Sequence, residues 1–579
     1  MQYIDLFHVL KNEWASFEAN KISGLKTAWL SPKFNGDKVS FAQQFSFAIP
    51  GTNCLSKLTF NRDEKVQLLA ERYGGKGIGL NGGGARCGTF GSFQLKGIGA
   101  NILAGDHDDL VHAYGGLDAR SAICEVIFTN VMSKVLPIGV VDIYGIIFTG
   151  VDTAIDPITK EKCWGSILVR EACVRPAHFL PAAGFLPCSE YQKQIRPDFA
   201  RTKIVNQNLA EMFASPNEFI MFLGSFLSKC ANQMAFARVA RAMHSTLSPS
   251  NFSIDGRWLD LCLSTFLSGG ENFGSSSIFY NEAGEPLLFC IELLYTYGKM
   301  NDLVLNPNSL ASYYNEQLDA YCSLHLGYVF GLPFEKICDK YKQDLELFKS
   351  LVMLVINGAK YVSRNYPEPN PSDPIVSLIL GVYISLEDRL AGLRMVEASG
   401  LNKLNSEKII NVFRNLIQGL ATEDESTELD FTLRCSILAI KRAVLPGMFY
   451  LLLVDKEISE LCMNGTPDEI ENTIDFYDWA ADWVFDYNNG KDITIYRSKE
   501  FHVELKVESN RFLIHEIANN QTSEFVTLSE SLNGAEELFG FASKSIKGFF
   551  YKNYYNKLSI LSRYLCSGSS KEGALHAAE

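Results

Sequence analysis

GGKGIGLNGGGARCGTFGSFQLKGIG, Gly74 to Gly99, sets a dense run of glycine directly before a short strand-like FQLK. Glycine weakens a strand interior, so such a run marks a place where backbone must approach something closely, and phosphate is the usual partner. The run lacks P-loop spacing, because no Gly-Lys-Ser/Thr follows at the required distance, and it does not open a dinucleotide-binding unit. A glycine-rich turn without a ligand is an equal reading of these residues alone. Downstream, Asp118 to Lys134 reads as an amphipathic helix and Leu136 to Phe148 as strands. Glycine-rich loop, strand, helix, strands is the local order of a nucleotide-binding lobe.

The chain has 579 residues, 47% hydrophobic and 12% aromatic, enough to bury a large core divided among several domains. A net charge of −13, with no block of lysine or arginine, argues against a sequence-independent grip on nucleic acid or on an anionic membrane. The first residues, MQYIDLFHVLKNEW, lack a basic start and a small-residue cleavage site, which predicts a cytoplasmic protein. Val135 to Val151 is the most apolar stretch. It is broken by Pro137, Gly139, Asp142 and Gly145 and suits two buried strands, so no membrane insertion is expected. The 14 cysteines are scattered without a Cys-x-x-Cys pair, as reduced buried thiols would be, and neither a zinc site nor a disulfide framework is expected.

Residues 1–70 mix a helical start with strand-like pieces such as Val39 to Phe47 and read as an N-terminal extension; 71–185 form the nucleotide-binding lobe. Apolar spacing from Asn206 to Met243 is helical, so 186–365 read as a helical lobe that carries the loop His244 to Gly256. The break YPEPNPSDP, Tyr366 to Pro374, separates it from a further helical region at 375–463. Thr466 and Pro467 start another helix. Ile493 to Tyr496, His502 to Val507 and Phe512 to His515 read as strands, which makes 464–567 a small α+β region before a disordered tail at 568–579.

Three features carry chemistry. Lys96 ends FQLK, and Glu125 sits in the middle of the following helix; a strand lysine held by a helix glutamate is how kinase-like folds hold a lysine on nucleotide phosphates, although spacing alone favours an exposed lysine and an unrelated glutamate. Arg170 and Arg175 are two guanidiniums able to clamp phosphate, or two surface ion pairs. In HSTLSPSNFSIDGRWLDL, Asn251 and Asp260 offer an amide oxygen and a carboxylate suited to Mg²⁺ against a triphosphate, with an Asx-rich turn as the plain alternative.

Taken in this order, the features resemble selenoprotein O, a kinase-like family that transfers AMP from ATP to protein hydroxyls. Gly83-Gly84-Ala85-Arg86 resembles the family's glycine-Asp-glycine-Arg-Ala loop, and Gln94 to Gly99 resembles its QLKGAG strand. The resemblance implies a nucleotide-binding lysine at Lys96, its helix glutamate at Glu125 and the paired arginines at Arg170 and Arg175. His244 through Asn251 aligns without a gap with HGVMNTDN, which places the metal ligands at Asn251 and Asp260. A later Asp-Gly at the phosphates falls on Tyr114-Gly115, and GGENFGSSSIFYNEAGEP resembles the stretch after the metal loop. The implied architecture is α+β: a bilobal protein-kinase-like domain with a mainly helical continuation and the small C-terminal region. ATP and Mg²⁺ are the implied cofactors, with Gly83, Gly84, Arg86, Lys96, Gly115, Arg170 and Arg175 at the nucleotide and Lys96, Glu125 and Asp260 serving catalysis.

One departure bears on mechanism. The aspartate expected just before the metal-binding asparagine is Ser250 here, so a hydroxyl acceptor would lack its base. A carboxylate acceptor needs none, because it is already ionised at neutral pH, and its product is an acyl phosphate or acyl adenylate. The phrases GGGARCG, FQLKGIG, HAYGGLDARSAICE and VDIYGIIFTG also resemble the maturation proteins of class IIb siderophore microcins. That resemblance implies an acyltransferase-like partner, a microcin precursor peptide with a free C-terminus and a glycosylated enterobactin-type siderophore. The expected function is ATP- and Mg²⁺-dependent activation of the peptide's C-terminal carboxylate. Two alternatives stand beside it: a protein AMP-transferase or kinase acting on hydroxyls, and a nucleotide-binding pseudokinase scaffold that recognises the peptide.

Overall fold

Eight strands of the first third of the chain form one antiparallel sheet. They are β1 (Ala15–Ile22), β2 (Lys26–Leu30), β3 (Phe47–Ala48), β4 (Phe60–Ala70), β5 (Cys87–Phe90), β6 (Phe93–Lys96), β7 (Ile143–Phe148) and, after the separate short pair β8 (Ala154–Ile155) and β9 (Lys162–Cys163), β10 (Ser166–Glu171). Their order is β2-β7-β10-β6-β5-β4-β1-β3. The structure, a computed structural model, describes residues 6–565 except 52–54, 56, 106–113, 157–159, 268–270, 274–280, 334–338, 359, 363–372, 425–426, 487–491 and 536–545.

Alternation along the strands divides the apolar side chains between two faces. Ile146 and Leu168 join Ile123, Val126 and Ile127 of α3 (Ala119–Val135), while Ile147, Ile167 and Val169 join Phe41 and Phe45 of α2 (Lys38–Phe45) on the other side. The helix expected from Asp118 is α3, and Asp118 caps it by accepting a hydrogen bond from the Ser121 amide at 2.7 Å. Where Val39 to Phe47 read as strand-like, the chain forms α2 instead. Asp37 and Ser40 make a reciprocal capping box, and Phe41, Ala42 and Phe45 share its buried face. Leu136 to Phe148 contains one strand rather than two: Leu136 is the C-cap of α3, Pro137 and Gly139 (φ 84°) turn the chain, and β7 begins only at Ile143.

The helical stretch Asn206 to Met243 is two helices, α4 (Asp198–Glu211) and α5 (Pro216–Ala240), because Ser215 caps a new start and Pro216 occupies its first turn. Met243 lies beyond them in a two-residue strand. Most of the expected break at Tyr366 to Pro374 falls outside the described residues. Asp373 and Pro374 do not: they start the helix Pro374–Ile384, and Asp373 bonds to Arg241 at 2.6 Å. One buried cluster runs from Leu6 to Leu565, so the helices on both sides of that break share a core.

The C-terminal region is a meander of Ile493–Arg497, Phe501–Lys506, Arg511–Glu516 and Gln521–Phe525, whose inner residues Val503, Leu505, Phe512 and Ile514 join the same core. The fourth strand, QTSEF, has no apolar alternation to announce it. The expected disordered tail lies outside the described residues. With 51% helix, 17% strand and a large antiparallel sheet, the chain is α+β. Among the described residues no single helix is long and apolar enough to cross a membrane. The bent pair Glu428–Phe449 and Leu451–Asn464, which reaches that hydropathy, contributes to the buried core.

Candidate functional site

On β6, Phe93 and Leu95 pack with the α2 side of the sheet, so alternation sends Gln94 and Lys96 to the α3 side. Arg170 stands opposite Gln94 on β10, and Leu168 opposite Lys96. α3 crosses this face and presents Glu125. Lys96 Nζ donates to Glu125 Oε2 at 2.8 Å, and an Arg170 guanidinium nitrogen donates to Glu125 Oε1 at 3.0 Å. One carboxylate thus holds two cations, all three groups at most 6% exposed.

Asp260 completes the cluster from 164 residues beyond Lys96. Its Oδ1 accepts from Lys96 and, at 2.9 Å, from Arg170. Burial pushes the Asp260 carboxyl up, but Arg170 and Lys96 outweigh it and hold the group well below the usual carboxylate range. Burial likewise lowers the Lys96 ammonium, and Asp260 and Glu125 reverse the sign, so Lys96 stays protonated. Asp260 has a left-handed backbone (φ 61°), uncommon for a residue with a side chain, and is the most exposed member at 22%.

A second polar layer lies beneath: Arg175 was expected at the site, whereas Gln94, Glu71, Thr89 and His178 were not. Gln94 Oε1 accepts from Arg170 Nε at 2.8 Å and from Arg175 at 3.0 Å, while its amide nitrogen donates to Glu71 Oε1 at 2.6 Å. Glu71 also accepts from Thr89 at 2.5 Å and from His178 Nε2 at 3.3 Å. The Arg175 amide donates to His178 Nδ1 at 3.0 Å, which puts the imidazole proton on Nε2. Burial raises the Glu71 carboxyl, yet the His178 hydrogen bond and the Arg175 charge leave it at about 2. An unpaired Glu before Arg in LLAERYGG was the signal available, and it is a weak one.

The loop His244 to Asp260 closes on itself. Leu259 N donates to Asn251 O at 3.2 Å and Phe252 bridges Trp258, which sets Asn251 beside the segment leading to Asp260. Asn251 Nδ2 donates to Thr246 O at 2.8 Å, and among the described residues its amide oxygen has only a 3.4 Å contact from Ser250 Oγ. Ser250 Oγ pairs with Ser248 Oγ at 2.9 Å, and its carbonyl accepts from Arg175 at 3.0 Å; among the described residues no carboxylate bonds to its hydroxyl.

The glycines use their freedom mainly against the protein's own backbone. A Cβ on Gly83 (φ 140°) would lie 2.1 Å from Glu71 O, and one on Gly115 (φ 90°) 2.0 Å from Ala100 N. Gly84 N donates to Glu71 O at 3.0 Å. Arg86 donates to the Gly116 carbonyl at 3.0 Å, and its charge reaches Lys96. Earlier in the run, Gly75 and Gly77 lie against Pro249 and Ser248, so the glycine stretch walls the loop that carries Asn251.

This arrangement suits a hard cation and a polyphosphate. An amide oxygen and a carboxylate match the oxygen preference of Mg²⁺, which completes its coordination with water and substrate phosphate. No group of three or more His, Cys, Asp or Glu able to hold a metal occurs among the described residues, so a cation here would rely on those outside ligands. Lys96, Arg170 and Arg175 carry donors of the kind that bind phosphate, and among the described residues Arg175 Nε is buried without a hydrogen-bond partner. Neither a family model nor a curated protein matches the sequence.

Proposed function

We propose that this protein is an ATP- and Mg²⁺-dependent, kinase-like catalytic subunit that activates the C-terminal carboxylate of a peptide. The observation that carries the reading is the convergence of Lys96, Glu125, Arg170 and Asp260, with Asn251 hydrogen-bonded to Leu259, the residue before Asp260. Lys96 and Arg170 orient phosphate oxygens, Glu125 holds both cations in place, and Asn251 with Asp260 would hold the metal. A bound nucleotide and its metal supply the transferred group and the neutralisation of its charge. Ser250 favours the carboxylate acceptor, since its hydroxyl bonds to Ser248 and among the described residues no carboxylate bonds to it. The family resemblance extends the proposal to microcin maturation: the activated peptide passes to an acyltransferase-like partner for ester linkage to a glycosylated enterobactin-type siderophore.

Release of pyrophosphate or ADP by the purified protein with Mg²⁺, partner and peptide tests this. The reading requires that release to depend on Lys96, on Asp260 and on a free peptide C-terminus. Turnover unaffected by Lys96→Ala and Asp260→Ala would sink it.

A second reading, a nucleotide-binding scaffold, has its own observation. Lys96, Arg170 and Arg175 are matched by Glu125, Asp260 and Glu71, so the cluster carries no surplus positive charge to draw phosphate. An Asp260→Ala protein that still supports peptide modification would favour it. Modification of a serine, threonine or tyrosine would instead favour a hydroxyl AMP-transferase or kinase.

A further inference from the structure

Glu282 is buried, and each of its oxygens takes one amide of the loop entrance. Oε2 accepts from His244 N at 3.0 Å and Oε1 from Ser245 N at 2.7 Å. Ser245 has a left-handed backbone (φ 71°), a conformation that costs about 1–2 kcal/mol and needs outside support. Among the described residues no lysine, arginine or histidine forms an ion pair with Glu282, so the two amides are its main stabilisation. The connection continues through His244, whose ring Nε2–H donates to Leu259 O at 3.0 Å. Leu259 in turn donates to Asn251 O and directly precedes Asp260.

We propose that Glu282 is the positioning residue for the Asn251 to Asp260 loop, holding its entrance through two amides and passing that hold to Asp260 through the His244 ring. The loop's role in binding a cation rests on the function proposed above; the hold itself does not. Charge state supports the same geometry. Burial drives the Glu282 carboxyl up to about 7 against the pull of the His244 and Ser245 amides; Glu285 adds to the rise and Arg238 opposes it. His244, which also faces this carboxyl, is pushed down to about 4 by burial and stays neutral near pH 7. An ordinary glutamate ionises at 4.5, so the folded entrance keeps its proton longer than an opened one, and the hold weakens as pH rises from about 4.5 through about 7.

The test is amide hydrogen exchange over 244–251 in the full-length protein without nucleotide, corrected for the intrinsic pH dependence of exchange. Protection is expected to fall at least about fivefold between about pH 6 and about pH 8. Glu282→Gln, whose NH2 group opposes one amide donor, is expected to lose that step and to exchange about tenfold faster at the lower pH, with the helix Lys403–Glu423 unchanged. A flat wild-type profile, or a Glu282→Gln profile like that of wild type, overturns the proposal, and the wild-type series needs no variant to fold. If the step is present but Mg²⁺-ATP fails to bind at any pH, the positioning role stands and the nucleotide reading falls.

Discussion

Gln94 and Arg170 face each other on adjacent antiparallel strands, and the Gln94 carbonyl oxygen accepts from Arg170 Nε at 2.8 Å. The same oxygen accepts from Arg175, so one neutral amide orients two buried guanidiniums while its nitrogen serves Glu71. Gln94→Leu leaves three buried polar groups short of a partner and is expected to cost about 3 kcal/mol in urea unfolding. Loss of nucleotide binding should accompany it. A change below about 1 kcal/mol would show that water replaces the amide.

Removing one charge from the Lys96 cluster should hurt more than removing an opposed pair. Lys96→Met leaves Glu125 and Asp260 facing Arg170 alone and is expected to destabilise the fold by about 3 kcal/mol. Adding Glu125→Gln should recover part of that loss without restoring nucleotide binding. Urea unfolding of both variants, read beside calorimetric binding, checks each half.

Gly83→Ala and Gly115→Ala should fail for backbone reasons. Each Cβ would sit about 2 Å from another backbone atom, in a φ region that L residues avoid. Loss of at least about 3 kcal/mol, or of folding altogether, is expected from each. Gly91→Ala is the control: its φ is 61° but nothing lies within 4 Å, so about 1 kcal/mol is expected. Thermal unfolding distinguishes the three.

Acid should act through Glu71. Its folded carboxyl titrates at about 2 against an ordinary 4.5, so the unfolded chain takes up the proton first as pH falls. The stability contributed is therefore present above about pH 4.5 and lost on the way down to about pH 2, on the order of 3 kcal/mol in all. Glu71→Gln is expected to flatten stability over that window.

Ser250→Asp tests the acceptor chemistry. The new carboxylate would stand beside Asn251 and supply a base to a hydroxyl acceptor. Carboxylate-dependent turnover is expected to fall about tenfold through repulsion of an anionic acceptor, while transfer to a serine-bearing peptide gains. Mass spectrometry of both peptides reads the outcome.

Much of this site was legible from local pattern. Alternation in FQLK put Gln94 and Lys96 on one face, and Asp118 announced the helix that carries Glu125. Lys96, Glu125, Arg170, Arg175 and Asp260 come together, whereas Arg86 turns to a carbonyl and Gly83 and Gly115 accommodate backbone. The Asp37 and Ser40 capping box was readable too, but the alternation of Val39 to Phe47 pointed to strand, and a reciprocal cap outweighs a short periodic run.

The sequence by itself determined the elements whose signals lie within a few residues: cap and helix, alternation and strand, proline and helix start. Tertiary structure decided the partners. His178 reaches Glu71 across 107 residues and Asp260 reaches Lys96 across 164, and no periodicity spans such separations. Periodicity records which face of its own element a side chain takes. Which group it meets there depends on loops closed around a shared core, where a buried charge persists only beside the partner that folding delivers.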